Sequence, residues 1–312
     1  MFKNKFNGKN ILVTGVSGFI GKHLAVRLFQ LGAHVYGISL HASSPQIYKV
    51  DICDYKKIDQ FIRDKKIEIC YHLAGESIVE SGKKEPYSTF RVNINGTLNI
   101  LEIGRKRSLE RIIVASSSHV YGENEVPYLE SYTPKPTRPY ETSKACTDLI
   151  AQSYADTYKL PVIIPRFVNI YGPGDLNFTR LIPKTMKQII TENEVELWGG
   201  NVIRDFLYID DAINGYLDLA NIDIATIEEN RIFNFGGGNT ITVSDLVQKI
   251  IKISRRTVFL IKTDEIREDE IKSQYVSFFK AKKLLKWKPK FSFNDGLSKT
   301  FKWYENYLAK RN

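Results

Sequence analysis

Hydrophobic positions in the first half of the chain fall into short, nearly continuous runs separated by stretches of helical spacing. Ile11-Leu12-Val13 is the first run. A glycine-rich turn and an amphipathic stretch from Ile20 to Leu31 follow, ended by Gly32. His34 to Ile38 and Ile47 to Val50 read as the next strands, and a helical segment over 55–65 leads to another at Ile67 to Leu73. Leu98 to Ile103 closes a helix before the run Arg111 to Ala115, and Leu160 to Ile164 is a sixth run. Short apolar runs without polar alternation, spaced by helices, are the pattern of a parallel sheet buried on both faces. The predicted fold class is α/β, a doubly wound parallel sheet.

After about residue 170 the rhythm loosens. Turn-forming clusters appear at Tyr171-Gly172-Pro173-Gly174, Trp198-Gly199-Gly200 and Gly236-Gly237-Gly238, with helical pieces between them. The sheet domain is expected over 1–168, with a segment near 204–240 returning to it. A smaller mixed α/β lobe is expected over 169–312. No long linker or internal repeat separates the two.

The composition adds exclusions. The 312 residues are 43% hydrophobic and 26% charged, enough apolar material for a core, which rules out disordered and low-complexity classes. No window approaches the roughly 18 uninterrupted apolar residues of a membrane span, so no membrane association is expected. The opening MFKNKFNGKN lacks the apolar stretch of a signal peptide. Cys53, Cys70 and Cys146 have no CxxC spacing, so neither a metal site nor a disulfide framework is expected. These features together predict a cytoplasmic protein. The net charge of +10 favours anionic partners. Its basic residues are scattered, however, and no nucleic-acid partner is expected.

Three features carry candidate chemistry. The first is Thr14-Gly15-Val16-Ser17-Gly18-Phe19-Ile20-Gly21, after a strand and opening a helix. Gly15, Gly18 and Gly21 suit a tight turn, close approach of a pyrophosphate and close helix packing, with unpaired N–H groups at the helix start. The second is Tyr140-Glu141-Thr142-Ser143-Lys144, whose i, i+4 spacing places phenol and ammonium on one helix face. A nearby cation lowers a tyrosine from its usual pKa of about 10, so that Tyr140 can take a hydroxyl proton while hydride leaves the carbon. The third is Ser116-Ser117-Ser118-His119-Val120-Tyr121-Gly122, at the ligand-binding edge of an open α/β sheet. The second strand ends in Ser39 without the ribose-binding acid of NAD sites and without an arginine for a 2′-phosphate. NAD is the expected cofactor and NADP stays open. Asp51 and Ile52, past the third strand, are candidates for the adenine edge.

In this order and at these separations, the three features resemble the extended short-chain dehydrogenase/reductase family, and more narrowly its nucleotide-sugar epimerases and dehydratases. Tyr71-His72-Leu73-Ala74-Gly75, Asn93-Ile94-Asn95-Gly96-Thr97, Arg166-Phe167-Val168-Asn169-Ile170-Tyr171-Gly172 and Arg204-Asp205-Phe206-Leu207-Tyr208 match further family motifs. The tail Leu284-Leu285-Lys286-Trp287-Lys288-Pro289 is similar to the family's ending, with a lysine where glycine is usual. The resemblance covers nearly the whole chain. It implies a Rossmann-type NAD-binding domain, a nucleotide-sugar-binding lobe, a homodimer built on segments around 90–105 and 140–157, and synthesis of surface-polysaccharide sugars. It also implies that Tyr140 is the base, Lys144 its electrostatic partner and ribose anchor, and Ser117 the hydroxyl beside the reacting oxygen. Leu73, Ala74, Gly75, Asn93, Ser116 and Phe167 join the glycine loop around the cofactor. Ser118, Asn169, Arg180, Leu181, Trp198, Arg204 and Arg267 are the candidates for the nucleoside-diphosphate sugar.

Enzymes of this group oxidise the sugar, usually at C4, with hydride passing to NAD. The family's 4,6-dehydratases resembling the dTDP-glucose enzyme follow the Ser/Thr with Asp-Glu. Here Ser118 and His119 stand at those positions. The expected activity is therefore C4 oxidation without 6-dehydration, as a 4-dehydrogenase or 4-epimerase. Two alternatives stay open. One is a dehydratase using His119 as acid, since Gly174-Asp175 with Arg180-Leu181-Ile182-Pro183 resembles the CDP-glucose dehydratases. The other is a 4-keto-sugar reductase.

Overall fold

The computed structural model describes residues 3–40, 47–198, 200–263 and 271–310. Its strands are β1 (Asn10–Thr14), β2 (His34–Ser39), β3 (Ile47–Lys49), β4 (Ile69–His72), β5 (Arg111–Val114), β6 (Ser116–Ser117), β7 (Val162–Phe167), β8 (Asn169–Tyr171), β9 (Glu194–Trp198), β10 (Ile203–Tyr208), β11 (Ile232–Phe235), β12 (Thr240–Thr242), β13 (Phe259–Thr263) and β14 (Ser273–Gln274). The main sheet is parallel, in the order β11-β7-β5-β4-β1-β2-β3, with β6 pairing β7 past the end of β5. The expected doubly wound α/β sheet is thus the fold. The strand order reverses between β1 and β4, and the crevice at that reversal is where ligands bind in such sheets.

Alternation along each strand explains why the runs look uniformly apolar. Ile11 and Val13 of β1 point into one core beside Leu24 and Leu28. Leu12 between them points into a second core beside Ile58, Ile62 and Ile100. β4 divides in the same way, with Ile69 and Tyr71 on one face and Cys70 on the other. Helices Phe19–Gln30 and Ile209–Ala220 cover the first face. Tyr55–Asp64, Gly96–Arg107 and Pro139–Tyr158 cover the second. Ala151 and Ala155 let the last of these lie close to the sheet. Helix ends follow local chemistry: Asp54 caps Tyr55–Asp64 by accepting from the Lys57 N–H, and Gly32, at φ +86, turns the chain after Leu31.

Beyond β7 the chain builds a second sheet, β12-β10-β14 with β8 beside β10, and a separate parallel pair of β9 and β13. β11 leaves this region to pair with β7 at the edge of the main sheet. Among the described residues, no helix is long and apolar enough to cross a membrane.

Candidate active site

The chain leaves β1 at Thr14 into a turn that only glycine fits. Gly15 has φ +68, and a Cβ there would lie 2.9 Å from the backbone N and Cα of Ala74. A Cβ on Gly21 would overlap the Gly15 carbonyl. Gly18 donates to that carbonyl at 2.9 Å and forms the N-cap of Phe19–Gln30 without a side-chain cap. The first helical N–H groups, at Phe19 and Ile20, therefore face the loop with no side-chain acceptor, a cradle suited to a diphosphate. Ser17 Oγ and Ser39 Oγ lie 2.6 Å apart, closing the β2 side of the loop with hydroxyls. Asp51 accepts from the Cys53 N–H at 2.8 Å, and the Ile52 carbonyl accepts from Asn99 Nδ2 at 2.9 Å. These residues fit the dinucleotide that the glycine spacing implies.

A buried network fixes the strand end opposite this loop. Thr14 Oγ1 accepts from the Leu73 and Ala74 N–H groups at 3.1 and 3.0 Å, so its own proton goes to His72 Nδ1, 2.9 Å away. Thr97 donates to the Asn93 carbonyl at 2.7 Å and accepts from His72 Nε2–H at 3.1 Å. Burial, helped by the charge of Lys144, pushes His72 down to about 3, so the ring is neutral, as this pattern requires. The 73–75 turn is thereby held against Gly15. Asn93 extends the network in a π-helical turn. It accepts from the Glu76 N–H at 2.8 Å and donates to Ser143 Oγ at 2.8 Å, which in turn donates to the Tyr140 carbonyl at 2.7 Å.

Tyr140 and Lys144 start the helix Pro139–Tyr158, and Ser117 ends β6. The Ser117 hydroxyl lies close enough to the Tyr140 phenol to favour its ionised form. The Lys144 ammonium donates to the Ala115 carbonyl at 2.9 Å, and burial lowers it to about 8. Tyr140 differs from the expectation. Burial raises its pKa, while the Ser117 hydroxyl and the charge of Arg180 only partly oppose that rise. The direction is the reverse of that inferred from the i, i+4 spacing, because desolvation of a buried phenolate outweighs the neighbouring charges. Ser116 turns away from this group, donating to Asp148 Oδ2 at 2.8 Å. Asp148 also takes two bonds from the buried guanidinium of Arg166, at 2.8 and 2.9 Å.

His119 follows Ser117 and the buried Ser118 in a 3₁₀ turn and presents its ring edge-on to Tyr140, with centroids 6.0 Å apart. Arg180 is held by Asp175 at 3.0 Å and reaches Ser77 at 3.4 Å, and Leu181 begins the next helix. The Arg180 charge opposes the rise in the Tyr140 pKa. Asn169 Nδ2 donates to the Asp205 carbonyl at 3.5 Å, and Arg204 Nη1 donates to the Ile203 and Ile271 carbonyls. Phe167 is packed in the core, stacked on Phe235 at 4.6 Å and tilted against Tyr216 at 4.7 Å between ring centroids. β9 ends on Trp198, whose side chain lies outside the described positions. Arg267 lies outside the described residues.

Sequence reasoning passed over Glu141, Asp148 and Thr14, each holding a named site residue in place. Glu141 and Thr14 lie inside motifs read for other members, and Asp148 continues the Tyr140, Lys144 spacing by one more turn.

The comparison with known families decides the assignment. The NAD dependent epimerase/dehydratase family matches residues 11–236. The chain belongs to this family. Among curated family relatives, the dTDP-D-glucose 4,6-dehydratase of Mus musculus is 30% identical, over 95% of this chain and 88% of that one. The UDP-glucuronate 4-epimerase of Thermodesulfobacterium geofontis is 28% identical, over 94% and 95%. Among solved structures, UDP-glucuronic acid 4-epimerase from Bacillus cereus, in complex with UDP-glucuronic acid and NAD, superposes with a TM-score of 0.86. It is 26% identical and covers 96% of this chain and 99% of that one. The protein is an NAD-dependent enzyme of this epimerase/dehydratase type.

Proposed function

We propose that the protein oxidises C4 of the hexose or heptose of a nucleoside-diphosphate sugar and acts as a 4-epimerase or 4-dehydrogenase without expelling water from C6. The observation that carries this reading is the placement of Tyr140 and Ser117 next to each other at the carboxyl edge of the sheet, with the Lys144 ammonium beside Gly75 of the 73–75 turn. NAD bound at that loop supplies the hydride acceptor. Ser117 orients the sugar hydroxyl, and Tyr140 takes its proton as the C–H bond at C4 breaks. The positive charge of Arg180 stabilises the phenolate form. Lys144, at the Ala115 carbonyl, anchors the ribose side, with Gly75 and Asn93 shaping that wall. Asn169, Arg204 and Arg180 bind the nucleoside diphosphate, whose charge matches their donors. In this reading 1–168 with the return near 204–240 holds the cofactor, and 169–312 mainly holds the sugar nucleotide. A homodimer would cover Tyr87, Leu98, Leu149 and Tyr158, which stand exposed on and near the helices at 86–107 and 139–158.

The absence of a carboxylate at Ser118 and His119 argues against the usual dehydration. A second reading, a 4,6-dehydratase with His119 as acid, is favoured by the contact of His119 with the Glu141 carboxylate at 3.4 Å. Incubating the protein with NAD and the UDP, dTDP, GDP and CDP sugars, then weighing the products, separates them. A product of unchanged mass, or lighter by two hydrogens, supports C4 oxidation alone. Loss of one water overturns it in favour of the dehydratase.

A further inference from the structure

Glu141 follows Tyr140 directly, yet its side chain is fully buried, an unusual place for a carboxylate. Burial raises its pKa, but hydrogen bonding and charge from His119, the charge of Arg138 and the Thr137 N–H together hold it below the usual range, so it is an anion. One oxygen lies 3.4 Å from His119 Nδ1 and the other 3.4 Å from the Thr137 N–H. The His119 backbone N–H donates to Ser117 Oγ at 3.2 Å, and its ring stands edge-on to Tyr140 with centroids 6.0 Å apart. The His119 side chain is 21% exposed, and its Nε2 has no hydrogen-bond partner among the described residues. An imidazole anchored at one nitrogen and open at the other has its tautomer set by the anchor.

We propose that Glu141 is a positioning residue. It keeps the His119 proton on Nδ1 and leaves Nε2 as the acceptor for a hydroxyl of the bound sugar, beside the carbon that Tyr140 and Ser117 address. This rests on the C4-oxidation reading for the identity of the ligand, although the tautomer itself is a property of the free protein. A carboxylate is suited to the task because it offers only acceptors, so Nδ1 must face it as a donor. Glutamine keeps the reach but has one acceptor for two donors, so with its oxygen on the Thr137 N–H its amide N–H₂ faces Nδ1, whereas alanine removes both contacts.

The test reads the tautomer first. The ¹⁵N shifts of the His119 ring in the free protein should show Nδ1–H as the dominant neutral form. Glu141→Gln should move the ring toward Nε2–H, and Glu141→Ala should leave it without a set tautomer. An Nε2–H ring in the unsubstituted protein overturns the proposal, and needs no variant to fold. The second readout is calorimetric affinity for whichever of UDP-, GDP-, CDP- and dTDP-glucose binds tightest, against the matching nucleoside diphosphate. Glu141→Ala should weaken the sugar nucleotide about tenfold, the worth of one hydrogen bond to a polar ligand. Affinity for the nucleoside diphosphate should not change, and Glu141→Gln should weaken the sugar nucleotide at least as much as Glu141→Ala. Equal weakening of both ligands, or of neither, overturns the proposal. Should no sugar nucleotide be turned over, C4 oxidation fails while the ring tautomer still decides the role of Glu141.

Discussion

The Lys144 ammonium is bonded to the carbonyl oxygen of Ala115, 2.9 Å away at the break between β5 and β6. One side chain thereby ties the start of the helix Pro139–Tyr158 to the edge of the sheet from which Ser116 and Ser117 continue. The arrangement costs stability, because burial lowers Lys144 from its ordinary 10.5 to about 8.

The cost has a definite pH signature. Between about 8 and 10.5 the unfolded chain binds the Lys144 proton more tightly than the folded one, so stability from this group rises with pH across that window. Below it, both states are charged and the folded protein carries the full penalty. Lys144→Met should therefore stabilise the free protein at neutral pH by on the order of 2 kcal/mol, part of the gain being offset by the lost bond to Ala115. Melting temperatures of both proteins across pH should converge as pH approaches 10.5. A gap independent of pH would contradict the assignment of the penalty to this lysine.

Tyr140→Phe removes the phenol oxygen and leaves the ring packing and the Ser143 bond to the residue 140 carbonyl intact. Turnover should fall by about 10²–10⁴, the usual worth of a general base. Affinity for NAD, read by calorimetry, should stay within about twofold. Loss of cofactor binding in step with turnover would make Tyr140 a structural residue.

Ser39 ends β2 with a hydroxyl bonded to Ser17, where dinucleotide sites that select NAD commonly carry an acid. Ser39→Asp should sharpen the preference for NAD over NADP by about tenfold or more, through repulsion of a 2′-phosphate. The ratio of kcat/KM for the two cofactors measures it. An unchanged ratio would place the ribose elsewhere.

Gly15→Ala meets both a left-handed φ and the backbone of Ala74 at 2.9 Å. It should destabilise the protein by about 1–3 kcal/mol and abolish cofactor binding, read by urea denaturation and calorimetry. A stable variant that still binds NAD would show that the turn can open without loss.

Much of this was legible in the chain because burial on both faces leaves a plain trace. Leu12 and its neighbours are apolar whichever way they point, so β1, β4 and β5 announce themselves, and the glycines at 15, 18 and 21 do so through backbone limits. The edge strand β11 lies in the 204–240 segment expected to return to the sheet, but its place beside β7 was not legible, since that pairing joins segments far apart in sequence. The apolar run at Leu160–Ile164 stops short of the strand's end. β7 extends through Arg166 and Phe167, and a charge inside a central strand hides its own burial until Asp148 is seen to neutralise it. The direction of the Tyr140 pKa was missed for a related reason. Spacing reveals which charges are near, but not how dry the site is.

The central claim is that Tyr140 deprotonates a sugar hydroxyl at C4 while the C4 hydrogen leaves as hydride. Its most direct test supplies the reactive sugar nucleotide deuterated at C4 and follows the label by mass spectrometry and NMR, with Tyr140→Phe as control. The expected result is deuterium on the reduced cofactor, a primary isotope effect on that transfer, and no transfer in the variant. Turnover with the deuterium never leaving C4, or full transfer by Tyr140→Phe, would contradict it.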